Sequence, residues 1–265
     1  MNTTEEGAFS MQVDKSIFPA EIQKIIRDMP VESNDVGRSG ALVAFIGDEL
    51  VLKRAEKGKL QNACLMQSFF HKNALAPKVV YYSSDDYDYL ISQKAEGRSA
   101  IDPEHMRNPV HLAHALGEFL LKIHSLDASA CPVQNVMEVQ LQEFDRAALR
   151  NAGLYEHISG YLKLQTMDEV KKIVNDARPH FQSDTVLHGD YCLPNIMLSD
   201  FRGRHVIDVG EGGAGDKSFD LFWGLWSLSY NLKTDIYRKE FLSAYGKNRI
   251  DEGMIYAAGC LCALI

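Results

Sequence analysis

Residues 185–217 read TVLHGDYCLPNIMLSDFRGRHVIDVGEGGAGDK and contain three polar residues at fixed spacing between short apolar runs. Asp190 is followed five residues later by Asn195, in the pattern H-x-D-x-x-x-x-N, and eighteen residues later by Asp208. This spacing is typical of phosphoryl transfer, in which one carboxylate accepts the proton of an attacking alcohol while a carboxamide and a second carboxylate hold magnesium. We therefore predict that Asp190 is the catalytic base and that Asn195 and Asp208 are magnesium ligands.

The local pattern of this stretch predicts a β-hairpin. Two apolar runs, residues 195–198 and 205–209, flank the polar, turn-rich segment 199–204. A hairpin brings the start of its first strand beside the end of its second, so Asn195 and Asp208 should share its open end. An isolated Asp or Asn is more often a turn former or a helix cap. The combination of Asp190, Asn195 and Asp208 with a lysine upstream favours a phosphoryl-transfer site.

Composition narrows the class of protein. The 265 residues are 46% hydrophobic and 24% charged, which is typical of a globular protein with one large core or two lobes. The formal net charge of −8 argues against nucleic acid or an anionic membrane as a partner and is compatible with a cationic substrate. The five cysteines are scattered without a C-x-x-C motif, so neither a disulfide framework nor a zinc site is predicted.

The chain ends give little sign of targeting. The first ten residues lack the basic start and apolar core of a signal peptide, and no apolar run approaches the ~18 residues of a membrane span. We therefore expect a cytoplasmic protein without a membrane partner. The last four residues, 262–265, fit a prenylation signal, but their apolar character favours a buried final helix.

The first part of the chain is rich in strand signals after an amphipathic helix at residues 20–29. The segment Gly-Arg-Ser-Gly at 37–40 leads into a predicted hairpin that ends at Lys53. Small residues in such a turn let backbone N–H groups approach phosphate oxygens, so Ser39 and Gly40 are predicted to bind phosphate. Lys53, on the second strand, would reach the α- and β-phosphates of a nucleotide.

One helix and two more strands complete a small lobe of five strands, in which residues 34–36 and the two strands of the hairpin are the other three. The helix is predicted at residues 58–73 and the strands at 77–82 and 87–92. A kinase would hold a glutamate in this helix to pair with Lys53. The plausible positions contain Gln61 or Asn62 instead, which is the clearest departure from a nucleotide site.

Residues 93–97 form a polar break that we interpret as a hinge between two lobes, and its backbone groups could bind the edge of an adenine ring. Long helical patterns begin after it. The predicted helices are 110–124, 139–150, 167–177, 219–230 and 235–245. We therefore predict an N-terminal nucleotide-binding lobe at residues 1–95 and a C-terminal catalytic and substrate-binding lobe at 96–265.

Three segments resemble the signature of the aminoglycoside 3′-phosphotransferase (kanamycin kinase) family. They are LHGDYCLPN at residues 187–195, VIDVG at 206–210 and GDKSFD at 215–220. This resemblance implies an α+β, bilobal, protein-kinase-like fold with a small antiparallel-sheet lobe and a larger, mainly helical lobe. It further implies ATP or GTP as co-substrate, Mg²⁺, backbone contacts of Gln93 and Ala95 with adenine, and Asp220 as a brace of the catalytic loop.

Two departures from that family leave the acceptor alcohol open. An arginine commonly follows the metal-binding aspartate by three positions, whereas this chain has Glu211, and the acidic C-terminal wall of the family is replaced here by an apolar end. An aminoglycoside is our first expectation. The alternatives are a choline-like or macrolide alcohol, and a weakly active nucleotide-binding protein. A protein kinase is disfavoured because Gly189 occupies the place of the arginine that couples to a phosphorylated activation segment.

Overall fold

The computed structural model describes residues 11–33, 42–150 and 152–264. The N-terminal part of the chain forms a six-stranded antiparallel sheet in the order β1-β2-β3-β4-β6-β5. Its strands are β1 (Met11–Gln12), β2 (Val31–Ser33), β3 (Leu42–Ile46), β4 (Leu50–Glu56), β5 (Val79–Ser84) and β6 (Tyr87–Gln93). Two helices, α1 (Ala20–Ile26) and α2 (Gln61–Lys72), accompany it. The sheet exceeds the predicted five strands because the short β1 pairs with β2 at its edge.

Alternation along the strands gives the sheet two different faces. Leu52 and Ile91 are fully buried on one face, where Ile22 and Ile26 of α1 cover them. Residues of opposite parity lie on the other face, since successive side chains of a strand point to opposite sides. Lys53 belongs to this second face, which is therefore the one that looks toward the rest of the chain.

Eight helices and five short strands make up the described remainder of the chain. The helices are α3 (Pro103–Met106), α4 (Pro109–His124), α5 (Val136–Leu149), α6 (Glu156–Leu162), α7 (Met167–Ala177), α8 (Ser218–Leu232), α9 (Arg238–Tyr245) and α10 (Glu252–Cys262). The strands are β7 (Arg98–Ser99), β8 (Thr185–Leu187), β9 (Ile196–Ser199), β10 (Arg202–Val206) and β11 (Gly213–Gly215). They form two small sheets, β10-β9-β7 and β11-β8, at the side of the helices.

The predicted hairpin is confirmed as β9 and β10, but its turn is shorter than the predicted segment 199–204, and β10 ends at Val206, before Asp208. Asp200 and Phe201 form its two-residue turn, and their φ angles of 49° and 56° are those of a turn that matches the twist of the flanking strands. At the open end the Ile207 N–H donates to the Asn195 carbonyl at 3.0 Å. Asn195 therefore lies opposite the segment that carries Asp208, as the sequence predicted.

The boundary between the predicted lobes at residues 95 and 96 stays a prediction, and the distribution of buried residues supports it. One core, which includes Ile22, Ile26 and Leu52, lies wholly within the N-terminal sheet and α1. A larger core belongs mainly to the helices after the hinge, but Met66 and Phe70 of α2 are part of it. Helix α2 therefore packs against both halves of the molecule.

The apolar C-terminal segment is a buried helix, as expected. Cys262 is 1% exposed, so its thiol is not accessible to a modifying enzyme in this fold. In the described residues no helix is long and apolar enough to cross a membrane.

Two helical glycines give a test of the packing. A Cβ at Gly117 of α4 would lie 2.3 Å from the Phe241 carbonyl oxygen of α9, whereas a Cβ at Gly160 of α6 would meet nothing within 4 Å. Gly117→Ala should therefore destabilise the protein by about 1–3 kcal/mol through overpacking. Gly160→Ala should stabilise it by roughly 0.5–1 kcal/mol, because alanine is the better helix former.

Chemical denaturation of both variants beside the wild type checks this pair. Equal free energies of unfolding for the two variants would contradict the close packing of α4 on α9.

Candidate active site

The loop that carries Asp190 is anchored by Asp220, the third residue of α8. Asp220 is fully buried, and its two carboxylate oxygens accept the backbone N–H groups of His188 at 2.6 Å and Gly189 at 2.9 Å. His124 donates from Nε2 to the same carboxylate at 3.2 Å, and its Nδ1 accepts the Tyr245 hydroxyl at 2.9 Å. A buried carboxylate is stable only when its oxygens are hydrogen-bonded, so Asp220 fixes the backbone immediately before Asp190.

Two glycines allow the backbone of this loop to touch the backbone that follows Asp208. Gly189 has a φ of +89°, and a Cβ there would lie 2.2 Å from the carbonyl carbon and oxygen of Glu211. A Cβ on Gly212 would lie 2.8 Å from the Leu187 carbonyl oxygen and 2.9 Å from that of His188. The loop of Asp190 and the loop after Asp208 therefore approach so closely that a side chain at Gly189 or Gly212 would clash.

The Asp190 side chain is oriented by its neighbours. Asn195 donates from Nδ2 to the Asp190 carboxylate at 2.8 Å and to the Asp190 carbonyl at 3.1 Å. The Asp190 N–H donates to Nδ1 of His188 at 3.2 Å. His188 is fully buried, and this burial lowers its pKa, so its ring is neutral and can accept that hydrogen bond. The carboxylate of Asp190 thus faces the cleft with its orientation fixed.

Lys53 and Asp208, which lie 155 residues apart in the sequence, meet in the cleft. Lys53 donates from Nζ to Oδ1 of Asp208 at 2.6 Å, and the Asp208 side chain remains 64% exposed. The predicted phosphate-binding lysine and metal-binding aspartate are therefore adjacent. In the described residues this aspartate is the ion-pair partner of Lys53, in the place of the missing helix glutamate.

Helix α2 contacts the site through Asn62, one of the two positions at which a kinase would have its helix glutamate. Asn62 donates from Nδ2 to the Gly210 carbonyl at 3.1 Å, while Gln61 is exposed. This contact joins α2 to the turn after Asp208 without using a charge. No local sequence signal distinguishes Asn62 from Gln61, because the partner lies 148 residues away.

The oxygen atoms around the cleft fit a magnesium ion. Because Asn195 uses Nδ2 to hold Asp190, its amide oxygen is left to act as a ligand, and Asp208 offers the carboxylate oxygen that Lys53 does not contact. Both are hard oxygen donors of the kind that Mg²⁺ prefers, together with waters and substrate phosphates. The roles of Asn195 and Asp208 as metal ligands stay predictions.

The cleft face of the sheet adds apolar residues that the prediction did not include. Phe45 and Val51 are opposite each other in the β3–β4 register and share the face of Lys53. Both are only half-buried, and Ile207 is half-buried next to Asp208. Counting alternate positions back from Lys53 would have found Val51. These side chains offer apolar surface for an adenine ring.

The hinge has backbone groups available at both positions predicted to contact adenine, and the contacts themselves stay predictions. Gln93 and Lys94 donate their N–H groups to the carbonyls of Lys78 at 2.9 Å and Glu49 at 2.7 Å, so Gln93 has only its carbonyl to offer a ligand. Within the described ranges the Ala95 N–H donates to no protein acceptor. Ser39 and Gly40 lie outside the described residues, so their predicted role in phosphate binding stays a prediction.

Comparison with known sequences identifies relatives over almost the whole chain. Residues 33–255 match the family described as "Phosphotransferase enzyme family". A "Probable aminoglycoside 3′-phosphotransferase" from Lactococcus lactis subsp. lactis is 31% identical over 253 residues, which cover 94% of this chain and 96% of that protein. An "Aminoglycoside 3′-phosphotransferase" from Niallia circulans is 23% identical, with coverage of 90% and 94%.

Solved structures share the fold, and the predicted bilobal, protein-kinase-like α+β architecture is confirmed. A type VIII aminoglycoside-3′-phosphotransferase is similar with a TM-score of 0.73 and 24% identity over 89% of this chain and 94% of that one. Aminoglycoside phosphotransferase APH(3″)-Id from Streptomyces rimosus gives 0.75 and 18%, with coverage of 95% and 98%. A choline/ethanolamine kinase family protein from Mesorhizobium loti gives 0.63 and 17%, with coverage of 88% and 76%. With this fold, and with a family match that spans most of its length, the chain belongs to the phosphotransferase enzyme family.

Proposed function

We propose that this protein transfers the γ-phosphoryl group of a nucleoside triphosphate, ATP in the first place, to a hydroxyl group of an aminoglycoside, with Mg²⁺ as the cofactor. The observation that carries the proposal is the convergence of the Asn195-oriented Asp190 carboxylate and the Lys53–Asp208 pair on one cleft. Phosphoryl transfer needs few protein groups beyond a positioned base and charges that match the phosphates.

Asp190 acts as the base in the proposed reaction. Its carboxylate accepts the proton of the acceptor hydroxyl, whose oxygen attacks the γ-phosphorus in line with the leaving group. The bond from the γ-phosphorus to the bridging oxygen breaks, and the electron pair leaves with the nucleoside diphosphate. Asn195 holds one Asp190 oxygen at 2.8 Å, so less rotation of the carboxylate is needed when the acceptor binds.

Lys53, Asp208 and Asn195 serve the nucleotide. Lys53 binds the α- and β-phosphates, which compete with Asp208 for its ammonium group. Asn195 and Asp208 would provide oxygen ligands to Mg²⁺, which would neutralise charge on the phosphates. Nucleotide binding therefore releases Lys53 from its ion pair with Asp208.

The aminoglycoside assignment rests on the similar proteins and on a carboxylate that lies beside the C-terminal segment in space. Tyr155 donates its N–H to the Ala263 carbonyl at 2.8 Å, so the start of α6, with Glu156, adjoins the apolar C-terminal segment. Glu156 is thus a candidate partner for a drug ammonium group. Glu169, another carboxylate of this region, instead accepts the Gln165 N–H at 3.1 Å at the start of α7.

A second candidate acceptor is a small, singly charged alcohol such as choline. The observation that favours it is that Cys260, Leu261 and Cys262 are buried and that none of these three side chains carries a charge with which to meet a polycation. Each desolvated ammonium group left without a partner weakens binding by several kcal/mol.

Nucleotide turnover measured in the presence of kanamycin A, choline and erythromycin separates these acceptors. We expect ADP formation that depends on Mg²⁺ and kanamycin A. An enzyme that phosphorylates choline or erythromycin but does not turn over kanamycin A at millimolar concentration would refute the aminoglycoside assignment.

The role of Asp190 can be tested by removing its charge. Asp190→Asn keeps the shape of the side chain but cannot accept the proton, so kcat should fall by at least about a thousandfold. Nucleotide affinity, measured by calorimetry, should stay close to that of the wild type, because Asp190 contacts the acceptor. Turnover within about tenfold of wild type would show that the base lies elsewhere.

Asp208→Asn tests the metal assignment. The loss of a charge that faces the polyphosphate should raise the Mg²⁺ concentration needed for half-maximal activity and lower kcat strongly. The Asp208 side chain is 64% exposed, so the free energy of unfolding should change by no more than about 1 kcal/mol. A Mg²⁺ titration measures the first effect and denaturation the second. An unchanged Mg²⁺ requirement with full activity would exclude Asp208 as a ligand.

A further inference from the structure

Glu211 has a position in the site that the reaction described above does not use. Its backbone packs directly on Gly189, with 2.2 Å between the Glu211 carbonyl group and the point where a Gly189 Cβ would lie. Residue 211 is therefore held beside the residue that precedes Asp190. This contact is between backbones, so it fixes the place of Glu211 independently of its side chain.

The charges around Glu211 are unbalanced. Asp190 accepts a hydrogen bond from Asn195, and Asp208 is paired with Lys53. The Glu211 carboxylate, in contrast, makes no hydrogen bond and no ion pair within the part of the chain that the structure describes. Partial burial and the carboxylates of Asp190 and Asp208 raise the pKa of Glu211, while the ammonium group of Lys59 acts to lower it.

A metal ion is a poor explanation for this third carboxylate. Among the described residues, no three acidic, histidine or cysteine side chains converge as a metal cage requires. A phosphate group would be repelled by Glu211, which places the nucleotide on the side of Lys53. The backbone contact with Gly189 places Glu211 beside the residue that precedes Asp190, and so beside the acceptor hydroxyl that Asp190 would hold.

We propose that Glu211 determines acceptor specificity by binding an ammonium group on the carbon adjacent to the one that bears the phosphorylated hydroxyl. The inference rests on the proposed function for the reaction, although it does not require an aminoglycoside. A hydroxyl held by Asp190 brings the substituent of the adjacent carbon close to the neighbouring side chain, because adjacent substituents on a ring or chain are themselves neighbours. An ammonium group there gives the Glu211 carboxylate a partner of opposite charge, whereas a hydroxyl group offers only a neutral hydrogen bond.

Matched acceptors test this inference directly. Kanamycin B carries an ammonium group and kanamycin A a hydroxyl group on C2′, the carbon adjacent to the one that bears the 3′-hydroxyl. We expect wild-type protein to prefer kanamycin B in kcat/KM, and Glu211→Gln to reduce that preference by about tenfold or more, which corresponds to one charge-assisted contact. The loss should lie mainly in KM for kanamycin B, with KM for ATP unchanged. Glu118→Gln, which neutralises an exposed carboxylate on α4, is the control and should leave the preference as it is.

A second pair of acceptors keeps the inference testable if the protein does not use aminoglycosides. Choline and its uncharged isostere 3,3-dimethylbutan-1-ol differ only in the charge of the group attached to the carbon adjacent to the hydroxyl-bearing carbon. If neither kanamycin is turned over but choline is preferred by the wild type and not by Glu211→Gln, the aminoglycoside assignment fails while the role of Glu211 stands. If the wild type does not discriminate within either pair, or if Glu211→Gln discriminates as well as wild type does, the inference is wrong.

Folding is a necessary control for Glu211→Gln. The pKa of Glu211 is higher in the folded protein than in the unfolded chain. Its ionised form therefore destabilises the fold at pH values above the pKa that this carboxyl has in the unfolded chain. Neutralisation at pH 7 should therefore leave the melting temperature unchanged or higher. A lower melting temperature would show that the glutamate side chain supports the loop and not the acceptor.

Discussion

Asp220 accepts the N–H groups of two successive residues, His188 and Gly189, at 2.6 and 2.9 Å from a fully buried position. The arrangement of the whole site follows from this contact. A charge without solvent must be compensated by hydrogen bonds, and here the donors are backbone groups of the catalytic loop. The loop therefore cannot move away without leaving a buried carboxylate unsatisfied. Gly189 is forced into a left-handed conformation, which turns Asp190 toward the cleft.

A second contact joins the sheet to this fixed loop. In a kinase with a helix glutamate, the lysine of the sheet is oriented by that glutamate. Here Lys53 contacts Asp208 directly, and α2 contributes the uncharged hydrogen bond from Asn62 to Gly210. Among the described residues, the ion pair of Lys53 and the contact of α2 with the site are thus made by two different residues. Since Asp208 is also the proposed metal ligand, nucleotide binding and the contact between sheet and loop are coupled.

The sequence predicted the parts of the site that depend on short-range spacing. Asn195 and Asp208 face one another because a hairpin with a two-residue turn places them there, and turn chemistry and alternation are local. The placement of Lys53 on the cleft face of β4 likewise follows from alternation along one strand.

Contacts between distant segments could not be predicted in the same way. Asn62 is chosen over Gln61 by the approach of Gly210, and His124 joins Asp220 across 96 residues. The proximity of Glu211 to Asp190 depends on two loops that touch through their glycines. Strand β1 was missed because two residues carry no pattern of their own.

We propose that Asp190 is the base of a phosphoryl transfer for which Asn195 and Asp208 hold the metal. A crystal structure with Mg²⁺, a non-hydrolysable ATP analogue and kanamycin A tests this assignment. We expect a drug hydroxyl within about 2.6–3.2 Å of the Asp190 carboxylate and Mg²⁺ bound to oxygens of Asn195 and Asp208. A nucleotide bound away from Lys53, or a metal coordinated without Asp208, would contradict it.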